Sequence, residues 1–413
     1  MDPKALRLRQ QLHTALSTKD PYQIAAALEL PSLVHSASSS SSSSSLENSQ
    51  KKYSNITLQD SSGVEWGGVL TSLIQATDAA IVGDAVRCYE AQSSLHAALN
   101  HIFGSSSGNI LVPALHITCR NTHKMAILAD LARVKKGERN DHSKLQSAVT
   151  TLQESFSKTL NDRKEWIPTA PLSEDGSKKA GVLYIVNQLF SMYFRLNTLR
   201  LCKNLLKPVE SRKLHEQGSI GERVTYKYYV GRLSLLEDQY EVAEENLDYA
   251  FLHCHKKAVS NKRRILHYLI PVKLLRGRLP TDLLLDKYNV QEFKSLVHGL
   301  RTGNLKMFNA ALDKYQNRFI YVGTYLLLEK CKAICYRNLF KRVFLVTNKT
   351  QLPLQYIAQT FKWLHIDMDM DEIECILANL IFRGFVRGYI YHEKRILVLS
   401  KKDPFPISAL SAR

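Results

Sequence analysis

The chain has 413 residues, 45% of them hydrophobic and 23% charged, with 56 Lys and Arg against 38 Asp and Glu, a formal net charge of +18. That balance excludes an intrinsically disordered chain, and at roughly 150 residues per domain it allows two or three packing units. The seven cysteines include no C-x-x-C pair, which excludes a disulfide framework and points to free thiols in a reducing compartment, cytosol or nucleus.

The start, Met1-Asp2-Pro3-Lys4, lacks the charged and apolar regions of a secretory signal. No run approaches the roughly 20 uncharged apolar residues of a membrane span, because the best one, Gly181 to Phe194, is interrupted by Asn187 and Gln188. The charge is unevenly placed. Residues 1–180 hold 19 basic against 17 acidic residues, leaving 37 against 21 for residues 181–413, so the excess lies in the C-terminal part. Such an excess marks either a polyanion-facing surface or a merely soluble basic one.

In chain order, Leu6, Leu12, Leu16, Ile24 and Leu28 recur at helical spacing, with Asp20-Pro21 as a helix start between two short helices. Ser38 to Ser45 form a flexible linker that buries nothing. Residues 1–60 are therefore read as N-terminal helices plus a serine-rich linker. Residues 61–180 read as amphipathic helices separated by Gly83-Asp84, Gly104 to Gly108 and Lys136-Gly137, with a loop from Trp166 to Gly181. Val182 to Leu206 then follows a single long helical pattern.

Residues 181–346 carry the pattern of helical hairpins. Gly231, Leu235, Tyr240, Ala243, Leu247, Ala250 and Phe251 alternate small and large residues as tetratricopeptide-like hairpins do, the small ones letting two helices approach. Further hairpins are expected at Lys262 to Leu275 with Thr281 to Tyr288, and at Glu292 to Leu300 with Leu305 to Tyr315, turning at Gly277 and Gly303-Asn304. A helix from Tyr321 to about Val346 closes the series. Stacked hairpins give a solenoid, an extended binding surface.

Residues 347–405 change period. Helices at Leu354 to Phe361 and Glu372 to Phe382 flank an acidic turn, Asp367 to Asp371. Phe385-Val386, Tyr389 to Tyr391 and Ile396 to Leu399 are β-like, with His392 to Arg395 as a turn. Helix, turn, helix and ribbon make a winged helix, leaving 406–413 as a tail. The expected fold class is mainly α, a solenoid of helical hairpins running into a C-terminal winged helix.

This order resembles the PCI family, shared by the proteasome lid, the signalosome and eukaryotic translation initiation factor three. The resemblance rests on Tyr229-Val-Gly231-Arg-Leu233 with Gln239-Tyr240 and Ala243, on Leu300-Arg-Thr-Gly303-Asn-Leu305 with Phe308, and on the C-terminal wing; it covers about 180–405. Asn187-Gln-Leu-Phe190, Tyr193-Phe-Arg-Leu196 and Leu201-Cys-Lys-Asn204 are similar to one branch, the PCI subunit of the nuclear transcription-and-mRNA-export complex, which also resembles an accessory signalosome subunit. The resemblance implies a non-enzymatic scaffold that pairs with a large PCI partner through its winged helix. It further implies a clasp by a small acidic proteasome-lid protein, non-specific binding to RNA and DNA, and a place in the nucleus and at nuclear pores with some cytoplasmic protein.

The site residues follow from charge and pattern. No acid lies between Glu329 and Asp367, while Lys330, Arg337 and Lys341 repeat at spacings of seven and four, as if on one helical face beside Arg342. With Arg383, Arg387, Lys394 and Arg395 of the wing they form the expected phosphate-contacting set; a solvated helix face is the alternative. The second helix of the winged helix opens with Asp371, Glu372 and Glu374, which phosphates repel, so a base-reading regulator is disfavoured. Its apolar Leu377, Ile381 and Phe382 are expected to dock a partner. Lys256-Lys257 with Lys262-Arg263-Arg264 is either a nuclear-import patch or an ordinary loop.

No metal, cofactor or catalytic residue is expected. His253-Cys254-His255 and the pair Cys331 and Cys335 lack the converging ligands of zinc. Asp367, Asp369 and Asp371 lack the glycine and the closing glutamate of a calcium loop. The chain contains no GxGxxG, phosphate-loop, GxSxG or HExxH motif. Two alternatives stay open: a structural subunit of a signalosome or proteasome-lid type complex without an RNA role, and a winged-helix DNA-binding regulator.

Overall fold

A computed structural model of the chain describes residues 3–31, 57–60, 63–167 and 171–406. The serine run lies outside them. The chain forms two compact units, Met1–Tyr226 and Lys227–Arg413. Residues 61–180 and 181–226, separated in the sequence reading, thus share the first unit.

The first unit opens with α1 (Pro3–Thr18) and α2 (Pro21–Ala27), and Asp20 caps α2 by accepting from Tyr22 N at 2.9 Å. Four longer helices follow: α3 (Gly67–Val82), α4 (Ala85–Ser105), α5 (Val112–Lys135) and α6 (Ser143–Leu160). Gly83 takes a positive φ to end α3, and Asp84 immediately caps α4 through Val86 N and Arg87 N. That is the physical content of the Gly-Asp break. The long pattern Val182 to Leu206 is two helices instead, α7 (Val182–Leu196) and α8 (Arg200–Ser211), because Asn197 turns into the left-handed region. A single-turn α9 (Leu214–Gln217) precedes α10 (Ile220–Leu236), within which the two units divide.

In the second unit α10 continues into a hairpin with α11 (Tyr240–His253). A Cβ at Gly231 would lie 2.7 Å from Leu247 Cγ, so only glycine admits this helix approach. Buried Glu244 then clasps α11 to α12 (Val259–Leu275): Arg276 stands 2.8 Å away, Arg278 2.9 Å and Lys273 3.1 Å. Removing one partner of such a buried pair costs about 3–5 kcal/mol.

The solenoid continues through α13 (Asp282–Lys287), α14 (Lys294–Thr302) and α15 (Leu305–Lys314); α14 and α15 pack as the expected hairpin, whereas α12 packs chiefly on α11 and does not form the expected hairpin with α13. The single helix expected from Tyr321 to Val346 is instead three: α16 (Gln316–Val322), α17 (Tyr325–Lys330) and α18 (Lys332–Thr347). Gly323 at φ +85° and Cys331 interrupt them.

The winged helix consists of β1 (Gln351–Pro353), α19 (Leu354–Trp363), α20 (Met370–Phe382), β2 (Gly388–Tyr391) and β3 (Ile396–Leu399). Its sheet has the antiparallel order β1-β3-β2, with Pro353 opposite Ile396 and Tyr391 opposite Ile396 on the other side. The strand β1 was not anticipated, and Phe385-Val386 are buried but form no strand. Among the described residues no helix is long and apolar enough to cross a membrane, and no cluster of ligands could hold a metal.

The first unit buries a polar network that sequence patterning does not reveal. His96 Nδ1 meets Thr122 Oγ1 at 3.0 Å and its Nε2 meets Ser155 Oγ at 2.9 Å, while Ser155 donates to Asn100 Oδ1 at 2.8 Å. Cys119 Sγ adds a contact at 3.6 Å. The arrangement mimics a nucleophile beside a base, yet it is fully enclosed by α4, α5 and α6 and holds those helices in register. Burial pushes the His96 ring from 6.5 down to about 3. The unfolded chain therefore takes up a proton near 6.5 that the folded chain refuses until about 3, so stability is full above that window and falls through it as pH drops. The slope is at most about 1.4 kcal/mol per pH unit for one site. Melting temperature should decline progressively below pH 6.5. His96→Gln, which cannot charge, should flatten the decline, leaving the shares of His116 and His267, whose rings burial pushes down to about 4, and of His123, which burial also lowers. An unchanged slope in the variant would show that His96 is not the proton-linked group.

Candidate nucleic-acid and partner interface

The winged helix starts from its own capping chemistry. Asp369 Oδ1 accepts from Glu372 N at 2.7 Å and Glu372 Oε2 accepts from Asp369 N at 3.1 Å, a reciprocal box at the start of α20. The acids of the Asp367 to Asp371 turn thus serve the helix N-terminus, as their position suggests. Ile373, Leu377 and Leu380 point into the core of the unit. The exposed face of α20 carries Asp371, Glu372, Cys375, Ala378, Asn379 and Phe382. It offers no Lys or Arg and only Asn379 as a base-edge reader, so it is poorly made for the major groove.

The three expected docking residues separate. Leu377 is 0% exposed and belongs to the core, Ile381 is half-buried, and Phe382 stands 90% exposed at the last turn. Leu377 faces inward because a helix closing over a three-stranded ribbon buries one side; only Phe382 remains available to a partner.

The basic residues separate too. Arg337 is 3% exposed: its Nη2 donates to Phe405 O at 2.7 Å and its Nη1 to Asn338 Oδ1 at 2.8 Å. Burial lowers its pKa, and the charge of Asp403 opposes that. Arg337 therefore ties the C-terminal segment to α18 and presents no charge to a phosphate. Lys330 lies on α17, not on the helix of Arg337 and Lys341, so the expected single face does not form. Its ammonium reaches Asp238 Oδ1 at 2.8 Å and the Tyr240 hydroxyl at 2.8 Å, and these hydrogen bonds raise its pKa. Lys341 is half-buried and Arg342 exposed.

In the wing, Arg383 closes α20 and Arg387 precedes β2, with a guanidinium nitrogen 3.8 Å from Asp403. Lys394 and Arg395 sit in the turn between β2 and β3, where Lys394 Nζ lies 5.5 Å from the Tyr391 ring centroid. Base and tip of the ribbon are one short strand apart, roughly 13 Å. His392 Nδ1 meets Glu374 Oε2 at 2.6 Å and so ties the wing to α20. Arg342, Arg383, Arg387, Lys394 and Arg395 are thus exposed cations, while Arg337 leaves the set.

The cysteines behave as small hydrophobes. All seven are free and six are buried. Burial pushes the Cys335 thiol up to about 12 and raises Cys331 as well, the opposite of what metal ligation or nucleophilic chemistry requires.

What patterning missed is the apolar surface beside these cations. Val346 is 86% exposed and Trp363 75%. The i, i+3, i+4, i+7 spacing of Leu339, Arg342, Val343 and Val346 was the available signal, hidden by the positive charges between them.

The role of Arg337 is open to direct measurement. Arg337→Met keeps the aliphatic stem but strands the Phe405 carbonyl, at a cost of about 1–3 kcal/mol. The variant should melt earlier and bind single-stranded RNA as tightly as the parent. A selective loss of RNA affinity at unchanged stability would return Arg337 to the contact surface.

The comparisons with known proteins agree with this architecture. The PCI domain family matches residues 312–401, from the end of α15 through the wing. PCI domain-containing protein 2 of Xenopus laevis is 36% identical over 399 residues, covering 96% of each chain. Enhanced ethylene response protein 5 of Arabidopsis thaliana is 33% identical over 361 residues, covering 86% of this chain and 84% of its own. Protein CSN12 homolog of Neurospora crassa is 31% identical over a 452-residue alignment, covering 95% and 97%. With near full-length kinship at that identity, and a solenoid that ends in a winged helix, the chain belongs to the PCI-domain family of which PCI domain-containing protein 2 is a member.

Proposed function

We propose that the chain is a non-enzymatic scaffold subunit of a nuclear, transcription-coupled mRNA-export complex, which pairs with a second, large PCI protein and holds RNA or DNA without reading sequence. The observation that carries the reading is the division of labour on the winged helix. Its second helix is acidic where a base reader needs donors, while exposed cations gather at the base and tip of the wing. Phosphate contacts supply affinity that is indifferent to sequence, which suits a subunit that must hold any message. Phe382 supplies an apolar anchor for the PCI partner. A clasp by a small acidic proteasome-lid protein, and residence in the nucleus and at nuclear pores with some cytoplasmic protein, belong to the same reading.

A second reading, a structural subunit of a signalosome or proteasome-lid type complex without an RNA role, draws on the same architecture and on the relative named Protein CSN12 homolog. RNA binding separates the two. The test is fluorescence anisotropy of a single-stranded RNA with the partner-bound protein at two salt concentrations. The triple variant Arg342→Glu, Arg387→Glu, Arg395→Glu should reduce the log–log salt slope by about 2, at about 0.7 per contact, and weaken binding about a hundredfold at 0.1 M salt. Equal binding by parent and variant would favour the second reading.

Pairing is tested separately. Phe382→Glu changes an exposed side chain, so the fold should persist within about half a kcal/mol. Co-purification with the PCI partner should be lost, along with the rise in melting temperature that pairing provides. Undiminished pairing would exclude this anchor.

A further inference from the structure

Helices α18 and α19 leave an open groove of about 520 Å³ between them. From α18 it is lined by Arg342, Val343 and Val346, and from α19 by Tyr356, Thr360 and Trp363, with the Gly303-Asn304 turn completing the wall. Each helix contributes residues three, four and seven apart, so each presents one continuous stripe. Two such stripes facing each other across an unfilled gap form the seat of a third helix, whose ridges would enter the groove. We propose that this groove receives an amphipathic helix of a partner protein whose polar flanks are acidic. The proposal goes beyond RNA binding and beyond pairing through Phe382; of the groove's lining only Arg342 also belongs to the cationic set, and it is left unchanged in the test.

The occupant's chemistry follows from charge. The lining holds one charged residue, Arg342, and no carboxylate. Residues 330–366, which supply both helices, contain no Asp or Glu at all, and Lys349 and Lys362 are exposed there. An apolar groove whose two helices carry cations and no acid favours an apolar stripe bordered by acids and repels one bordered by lysines. The same sign argument disfavours a second copy of this chain, whose net charge is +18. The C-terminal segment is disfavoured by position. Phe405 packs on Phe344, two residues before Val346 and so roughly 200° around α18 from it. A single strand of nucleic acid matches the cations and finds flat faces on Tyr356 and Trp363, but Val343 and Val346 opposite are aliphatic, so a base is gripped on one side only, whereas an apolar helix stripe fills both walls.

The test uses the full chain and a displayed library of helix-forming peptides of about 18 residues, five helical turns. Selection on the parent with counter-selection on Val346→Ser, Trp363→Gln, which adds no charge beside Arg342, should enrich apolar residues at i, i+3 or i+4, and i+7 with acids on either side. Both substituted side chains are largely exposed, so the variant should keep the parent's circular dichroism and melting temperature. An enriched peptide should bind the variant about thirtyfold more weakly than the parent, and its lysine-flanked counterpart should bind the parent similarly poorly. Affinity of either protein for an oligouridylate should be the same. Failure to enrich any groove-dependent peptide overturns the proposal, as does equal binding of acidic and lysine-flanked peptides. A fall in oligouridylate affinity in the variant would make the groove a base-stacking site instead, and self-association lost in the variant would make it a homotypic interface.

Discussion

Gly303 lets the turn between α14 and α15 sit directly on the backbone of α18, where a Cβ would come within 2.5 Å of Leu339 N. The position also needs a φ of +68°, which an L side chain rarely adopts. Both demands fall on one residue because α18 serves two neighbours at once. One side packs on the last solenoid hairpin, and the other carries Phe340 against Phe361 of α19, ring centroids 6.1 Å apart. Asn338 reinforces the junction by donating to the Leu300 carbonyl at 2.7 Å. The winged helix, its cations and the groove all inherit their placement from this contact.

The same helix explains why charge in the sequence is a poor guide to charge on the surface. Arg337 and Arg342 lie five residues apart in a segment without acids, yet one is spent on backbone carbonyls of the C-terminal segment and the other faces open space. A guanidinium has five donors and can satisfy several carbonyls at once, so it is well suited to fastening a chain end. Elsewhere in the unit Arg276 is used the same way on Glu244. A basic excess therefore divides between internal fastening and external potential, and only the second part is available to a polyanion.

Polar burial in the first unit is a structural device of a different kind. His96, Thr122, Ser155 and Asn100 satisfy one another among α4, α5 and α6. A fully paired buried network imposes register where interchangeable aliphatic side chains would tolerate sliding. The serine and histidine resemble catalytic partners by spacing alone, but they are sealed from solvent and the nearby Cys119 thiol is pushed up to about 12.

Much of the architecture was legible from the sequence, because hairpins and winged helices are written in local periods. Gly231 with Ala243 and Leu247 marked a close helix pair, and the acidic turn Asp367 to Asp371 marked the start of the next helix, each through contacts only a few residues or one hairpin away. The helix breaks at Asn197 and Gly323 escaped, since the apolar period runs on through a residue whose left-handed turn is chosen by what it packs against. The third strand escaped because Gln351 to Pro353 is too short to show alternation and exists only by pairing with β3, more than 40 residues later. Which charges point outward was decided by tertiary structure alone. Burial of Arg337 depends on Phe405, 68 residues on, and burial of Leu377 depends on the helix closing over its own ribbon. Periodicity tells which residues share a face, whereas which face meets solvent is settled only when distant segments arrive to cover the other.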